Sequence, residues 1–160
     1  MTRLIKPLLT LGIALILGLP RAATAEEIML ILINTTTGTE IQLSETELLA
    51  LPQTIIETEN EFVDGMTRFA GPLGRDLVEL VGGGGSTVVL TAVNDYAVEV
   101  PVEDFITYDV VFAVTANEER FSRRDKGPIW VVYPMSDHRE LQDPVYNARL
   151  IWQLVRMEVN

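Results

Sequence analysis

Thr87-Val88-Val89-Leu90-Thr91-Ala92-Val93-Asn94-Asp95-Tyr96-Ala97-Val98-Glu99-Val100-Pro101 is the stretch on which the fold turns. Residues 87–92 and 96–100 are rich in β-branched side chains, and Asn94-Asp95 supplies turn chemistry between them. The two runs therefore read as neighbouring strands. On the N-terminal side, residues 28–33 form a continuous apolar run suited to a buried strand, 34–38 are turn-like, and 40–43 alternate as a short strand. Ser44 stands three residues before Glu47, a capping box that opens a short helix stopped by Pro52. Residues 54–58 read as a strand, and Gly71-Pro72 breaks the chain. Leu73, Leu77, Leu80 and Val81 fall at helical spacing, and Gly82 to Gly85 end that helix. Beyond the central pair, 101–105 form a helical turn, 110–115 and 129–133 are strands, 116–127 a loop, and 134–148 an irregular polar stretch. Residues 152–159 make a last strand. Strands interleaved with short helices over this length give one α+β domain with a mixed sheet.

The first 25 residues have a different character. Arg3 and Lys6 precede an apolar run from Leu8 to Leu19, and Ala23 and Ala25 provide a small-residue site before Glu26-Glu27. This is the pattern of a secretory signal peptide cleaved after Ala25, and the run is shorter than the roughly 20 residues a membrane span needs. Residues 1–25 are thus expected to be a leader and 26–160 a single domain, periplasmic or secreted, with no stable membrane span. No twin arginine precedes the apolar run, which points to export of an unfolded chain.

The chain carries a formal net charge of −11, with 12 basic and 23 acidic side chains. Loss of Arg3, Lys6 and Arg21 with the leader makes the domain more acidic still, at −14. Such a balance excludes nucleic acid as a partner, because phosphate binding needs a basic surplus. The absence of cysteine excludes disulfides, thiolate metal sites and thiol catalysis.

Few residues offer chemistry by themselves. The glycine run 82–85 lacks the lysine of a phosphate loop and has the wrong flanking elements. His138 is the single histidine and reads as a surface residue. Glu103-Asp104, Glu118-Glu119 and Glu57, Glu59 and Glu61 read as solvated faces, and none fits a calcium loop. Arg120, Arg123, Arg124 and Lys126 cluster within seven positions. They suit carboxylate or phosphate, or else pair with the neighbouring Glu118, Glu119 and Asp125. Pro128, Trp130 and Trp152 are expected to pack the core.

Four motifs in order then carry a resemblance: Phe69-x-Gly71-Pro72-Leu73-x-Arg75-Asp76-Leu77; Asn94-Asp95-Tyr96-x-Val98-x-Val100-Pro101; Asp125-Lys126-Gly127-Pro128-x-Trp130-x-Val132-Tyr133-Pro134; and Tyr146-x-x-Arg149-x-x-Trp152-Gln153-Leu154-x-Arg156-x-Glu158-Val159. Over about residues 28–159 the chain resembles the oxidoreductase molybdopterin-binding domain, the sulfite oxidase fold, in a small exported form. The resemblance implies a mixed, partly barrel-like sheet with short helices. In full-size members it also implies a molybdenum–pterin cofactor held by a cysteine thiolate, whose place falls within residues 56–60. Here Glu57 or Thr58 would offer oxygen instead, a harder ligand. The family's phosphate-binding lysine falls on Arg149, which retains the capacity to grip an anion. No cofactor is expected, with molybdopterin as the one the resemblance implies.

The leading expectation is a non-catalytic module that binds a small anionic or pterin-like ligand, or an extracytoplasmic protein partner, through the old cofactor cleft. The site residues assigned to it are Asn94, Tyr96, Arg149, Arg75 and Lys126. Three of them also have a structural reading: Asn94 as a turn residue, Tyr96 as a core aromatic, Arg75 as a surface helix charge. The alternatives are a periplasmic oxidoreductase that holds such a cofactor without cysteine, and an interaction partner of a membrane sensor.

Overall fold

The apolar run at Ile28–Asn34 forms β1, the second strand of a five-stranded sheet, in a computed structural model that describes residues 26–160. The expected leader, 1–25, lies outside the described residues. β1 pairs antiparallel with β2 (Thr39–Ser44) and parallel with β11 (Leu154–Val159), where Leu32 faces Met157. β11 in turn pairs antiparallel with β5 (Thr87–Ala92), and β5 with β6 (Ala97–Pro101), giving the order β2-β1-β11-β5-β6. The central hairpin is as its sequence predicts, with Val88 opposite Val100 and Leu90 opposite Val98.

Between β2 and β5 lie α1 (Glu45–Ala50), β3 (Thr54–Thr58), β4 (Thr67–Gly71) and α2 (Gly74–Leu80). The capping box is present: the Ser44 hydroxyl accepts from the Glu47 N–H, and the Glu47 carboxylate accepts from the Ser44 N–H at 2.9 Å. Those hydrogen bonds favour the charged form and hold the Glu47 pKa below its ordinary value. After β6 come α3 (Val102–Thr107), β7 (Val111–Ala113), β8 (Thr115–Ala116), β9 (Glu119–Arg120) and β10 (Trp130–Val132). A short 3-10 turn (Arg139–Gln142) and α4 (Pro144–Asn147) precede β11.

β3, β4, β8 and β9 make a second, four-stranded sheet, and β7 pairs with β10. The main core lies on the five-stranded sheet, where Leu30, Leu32, Leu90, Leu154 and Met157 meet Leu77, Phe105 and Phe112. A smaller core joins Ile56, Phe69, Leu73, Val111, Trp130 and Val132. The mixed α+β expectation holds, with short helices throughout. The sheets stay open, however, and among the described residues no barrel closes.

Two readings need correction, and residues 67–71, which the sequence leaves unassigned, gain an element. Residues 67–71 are a strand, because Phe69 and Gly71 point inward while Arg68 points to solvent, a period too brief to stand out. The loop 116–127 contains β9, folded back as a hairpin on β8. The strand expected over 110–115 divides at Val114, where β7 pairs with β10 and β8 turns to β4. Gly71 also acquires a reason: a Cβ there would lie 2.0 Å from the Phe112 carbonyl oxygen, so only glycine admits this close packing of β4 against β7.

Candidate functional site

The turn between β5 and β6 forms one wall of a cleft of about 410 Å³. Asn94 accepts from the Tyr96 N–H at 3.2 Å, and Asp95 takes a left-handed φ of 63°, so the turn is an Asx turn that leaves Tyr96 half exposed. A second wall is the segment 147–153 that leads into β11, and Glu61 and Phe62 complete the lining. The Val93 N–H donates to the Gln153 carbonyl at 2.9 Å and ties the two walls together.

Gln153 is held against its conformational preference. Its φ is 53°, and its side-chain amide donates at 3.0 Å to both the Arg123 and Asp125 carbonyls. Its backbone carbonyl and N–H are also bound, to the Val93 N–H and the Lys126 carbonyl, so four hydrogen bonds fix a left-handed non-glycine residue, a costly conformation that needs such anchoring. Trp152, beside it, is 38% exposed and edge-on to Phe62, with ring centroids 5.0 Å apart. The expectation that Trp152 packs the core is therefore corrected: Trp130 fills the core, and Trp152 sits on its edge at 6.5 Å and faces the cleft. Tyr96 likewise is no core aromatic. Phe62, Asn147 and Gln153 were not singled out by sequence, since no local pattern announces that residues 62, 96 and 152 converge.

The five assigned residues divide. Asn94 and Tyr96 line the cleft. Arg149 lies behind its wall, where its guanidinium pairs with Asp104 and stacks 4.7 Å from the Tyr146 ring centroid. Asp104 is buried, which corrects its reading as part of a solvated face, and it also accepts from the Tyr133 hydroxyl at 2.8 Å. Burial and the Asp104 charge push the Tyr133 pKa far above its ordinary value. Arg75 pairs with Asp109 at 2.6 Å on another face, beside a separate hollow formed with Gly83 to Gly85 and Ile106. Lys126 sits over the Trp130 ring at 4.9 Å, with Asp125 3.9 Å away.

Two members of the basic cluster find distant partners, while Lys126 keeps its sequence neighbour Asp125. Arg120 pairs with Glu45, Arg123 with Glu27 at 2.7 Å, and Glu118 turns to Arg68 at 3.3 Å. His138 is part-exposed, edge-on to Tyr108 and 3.7 Å from Glu140.

The residues standing where the resemblance places the metal do not fit a thiolate-held centre. Glu57 is exposed. Thr58 is fully buried, but its hydroxyl is bound within the protein: it accepts from the Ser136 N–H at 3.0 Å and lies 3.3 Å from the Ser136 hydroxyl. Among the described residues, no group of three or more acidic or histidine side chains is arranged to hold a metal. Asn60 accepts from the Phe62 N–H and leaves its Nδ2 buried without a partner among the described residues. No helix among them is long and apolar enough to cross a membrane.

No family model matches the chain, and no curated protein matches it in sequence.

Proposed function

We propose that the chain is an exported, non-catalytic binding module of the molybdopterin-domain type, taking a small planar or compact ligand in the cleft between the β5–β6 turn and residues 147–153. The observation that carries this reading is the convergence of Tyr96, Phe62 and Trp152 around an open cleft of about 410 Å³, with Asn94 and Asn147 among the lining groups. That volume lies in the range of small-molecule sites, and an aromatic lining with a few polar groups is their usual chemistry.

One further observation favours binding over redox catalysis: the Thr58 hydroxyl is engaged by Ser136, whereas Arg149, engaged by Asp104, is withdrawn from the anion-gripping role the resemblance gives it. A module of this kind reports or carries its ligand, and it does not transform it.

Native mass spectrometry of protein taken from its own compartment tests the proposal, paired with metal analysis. A retained small molecule without stoichiometric metal is the expected result. Molybdenum or a pterin chromophore at one equivalent would instead establish the oxidoreductase reading.

A further inference from the structure

We infer that the cleft selects a small organic cation, an ammonium or quaternary ammonium compound, over an anion of the same size. This rests on the proposed role of the cleft as the binding site. Three aromatic rings, those of Phe62, Tyr96 and Trp152, line it, and aromatic faces attract cations through their quadrupole. Glu61 is the only charged residue among the lining groups, and its carboxylate has no ion-pair or hydrogen-bond partner among the described residues.

Arg149, within the wall segment, and Lys126, whose carbonyl accepts from the Gln153 N–H, are both engaged elsewhere, Arg149 with Asp104 and Lys126 over Trp130 with Asp125 beside it. Surrounding charge acts in the same direction, since the chain carries 23 acidic against 12 basic residues. The polar groups left over are compatible with the hydroxyl or amide of such a ligand. Asn94 uses its side-chain oxygen on the Tyr96 N–H, so its amide N–H groups remain to donate.

The test uses three probes on the domain: choline, its uncharged tert-butyl isostere, and inorganic phosphate. Binding is read from the Trp152 indole and the Asn94 and Asn147 side-chain amide resonances. Choline is expected to move these signals with an affinity about tenfold above that of the isostere, the order of a partly desolvated cation–aromatic contact. Phosphate is expected to leave them in place. In Glu61→Gln the choline affinity should fall severalfold while that of the isostere stays unchanged.

Equal binding of choline and the isostere, or tighter binding of phosphate, overturns the cation inference and leaves the cleft standing as the site. Silence of all three probes also overturns it. If native mass spectrometry then shows no retained ligand, the functional reading falls with it.

Discussion

The Arg149 guanidinium rests on the Asp104 carboxylate, joining the segment 147–153 of the cleft wall to helix α3, 45 residues earlier in the chain. Asp104 is 7% exposed, and its second contact is the Tyr133 hydroxyl. A charge pair so placed stabilises mainly by being complete, because either partner alone would be a poorly solvated ion. Asp104→Asn is expected to lower unfolding free energy by about 1.5–3 kcal/mol, the range for a hydrogen bond to a charged group. Urea denaturation measures this. The same variant should shift the amide resonances of residues 147–153, because Arg149 anchors the segment that carries them.

The same knot gives the fold an alkaline limit. Tyr133 has a pKa raised well above its ordinary value, first by burial and then by the neighbouring Asp104 charge. The unfolded chain loses this proton near pH 10 and the folded chain retains it. Above that pH the folded state binds more protons, so stability falls as pH rises, by about 1.4 kcal/mol per unit for this one group. Tyr133→Phe should be less stable at neutral pH yet show a shallower loss between pH 10 and higher values. Denaturation curves of both proteins across that window check the difference in slope.

Gly71→Ala probes packing instead of charge. The added methyl would meet the Phe112 carbonyl oxygen and the Ala113 Cα, both backbone atoms with no rotamer to move. The expected cost is about 3 kcal/mol, the upper end for overpacking, because two strands must separate to relieve it. Thermal unfolding reads the loss, and a shift below about 1 kcal/mol would show that β4 and β7 pack more loosely than described.

What the sequence made legible was mostly local. The Ser44–Glu47 box declares itself through side chains that satisfy neighbouring backbone groups, the β5–β6 hairpin through its β-branched runs about Asn94-Asp95, and the helix over 74–80 through its apolar spacing. Strand β4 is not legible because five residues with one exposed arginine give too short a period. The burial of Asp104 is hidden for a different reason: its neighbour Glu103 is exposed, and only the fold brings Arg149 and Tyr133 to it. The cleft was half visible, since Asn94 and Tyr96 belong to one motif. Phe62 and Trp152 are 90 positions apart, and their T-shaped contact is a product of tertiary packing alone.

Tyr96→Ala separates the cleft from the core. The ring is 50% exposed and its hydroxyl makes no hydrogen bond among the described residues, so stability should change by no more than about 0.5 kcal/mol. Loss of an aromatic wall should weaken any cleft ligand by about 1–2 kcal/mol. Calorimetry with the ligand identified by native mass spectrometry provides the measurement. Undiminished binding would place the ligand elsewhere on the surface.

Thr58 offers the sharpest contrast between a binding module and a silent cofactor site. Its hydroxyl accepts from the Ser136 N–H, while the Ser136 hydroxyl accepts from the Glu59 N–H at 2.9 Å, so the two residues clamp the end of β3 to the chain beyond β10. Thr58→Val keeps the shape and removes the acceptor. The stranded Ser136 N–H should cost about 1–3 kcal/mol, with ligand binding in the cleft unchanged. Thr58→Cys restores a sulfur at the position where the resemblance places the metal ligand. If the position is structural, this variant should fold with reduced stability and carry no molybdenum when produced with cofactor supplied. Stoichiometric molybdenum in Thr58→Cys would mean that the surrounding groups still form a cofactor pocket, and the non-catalytic reading would then have to be abandoned.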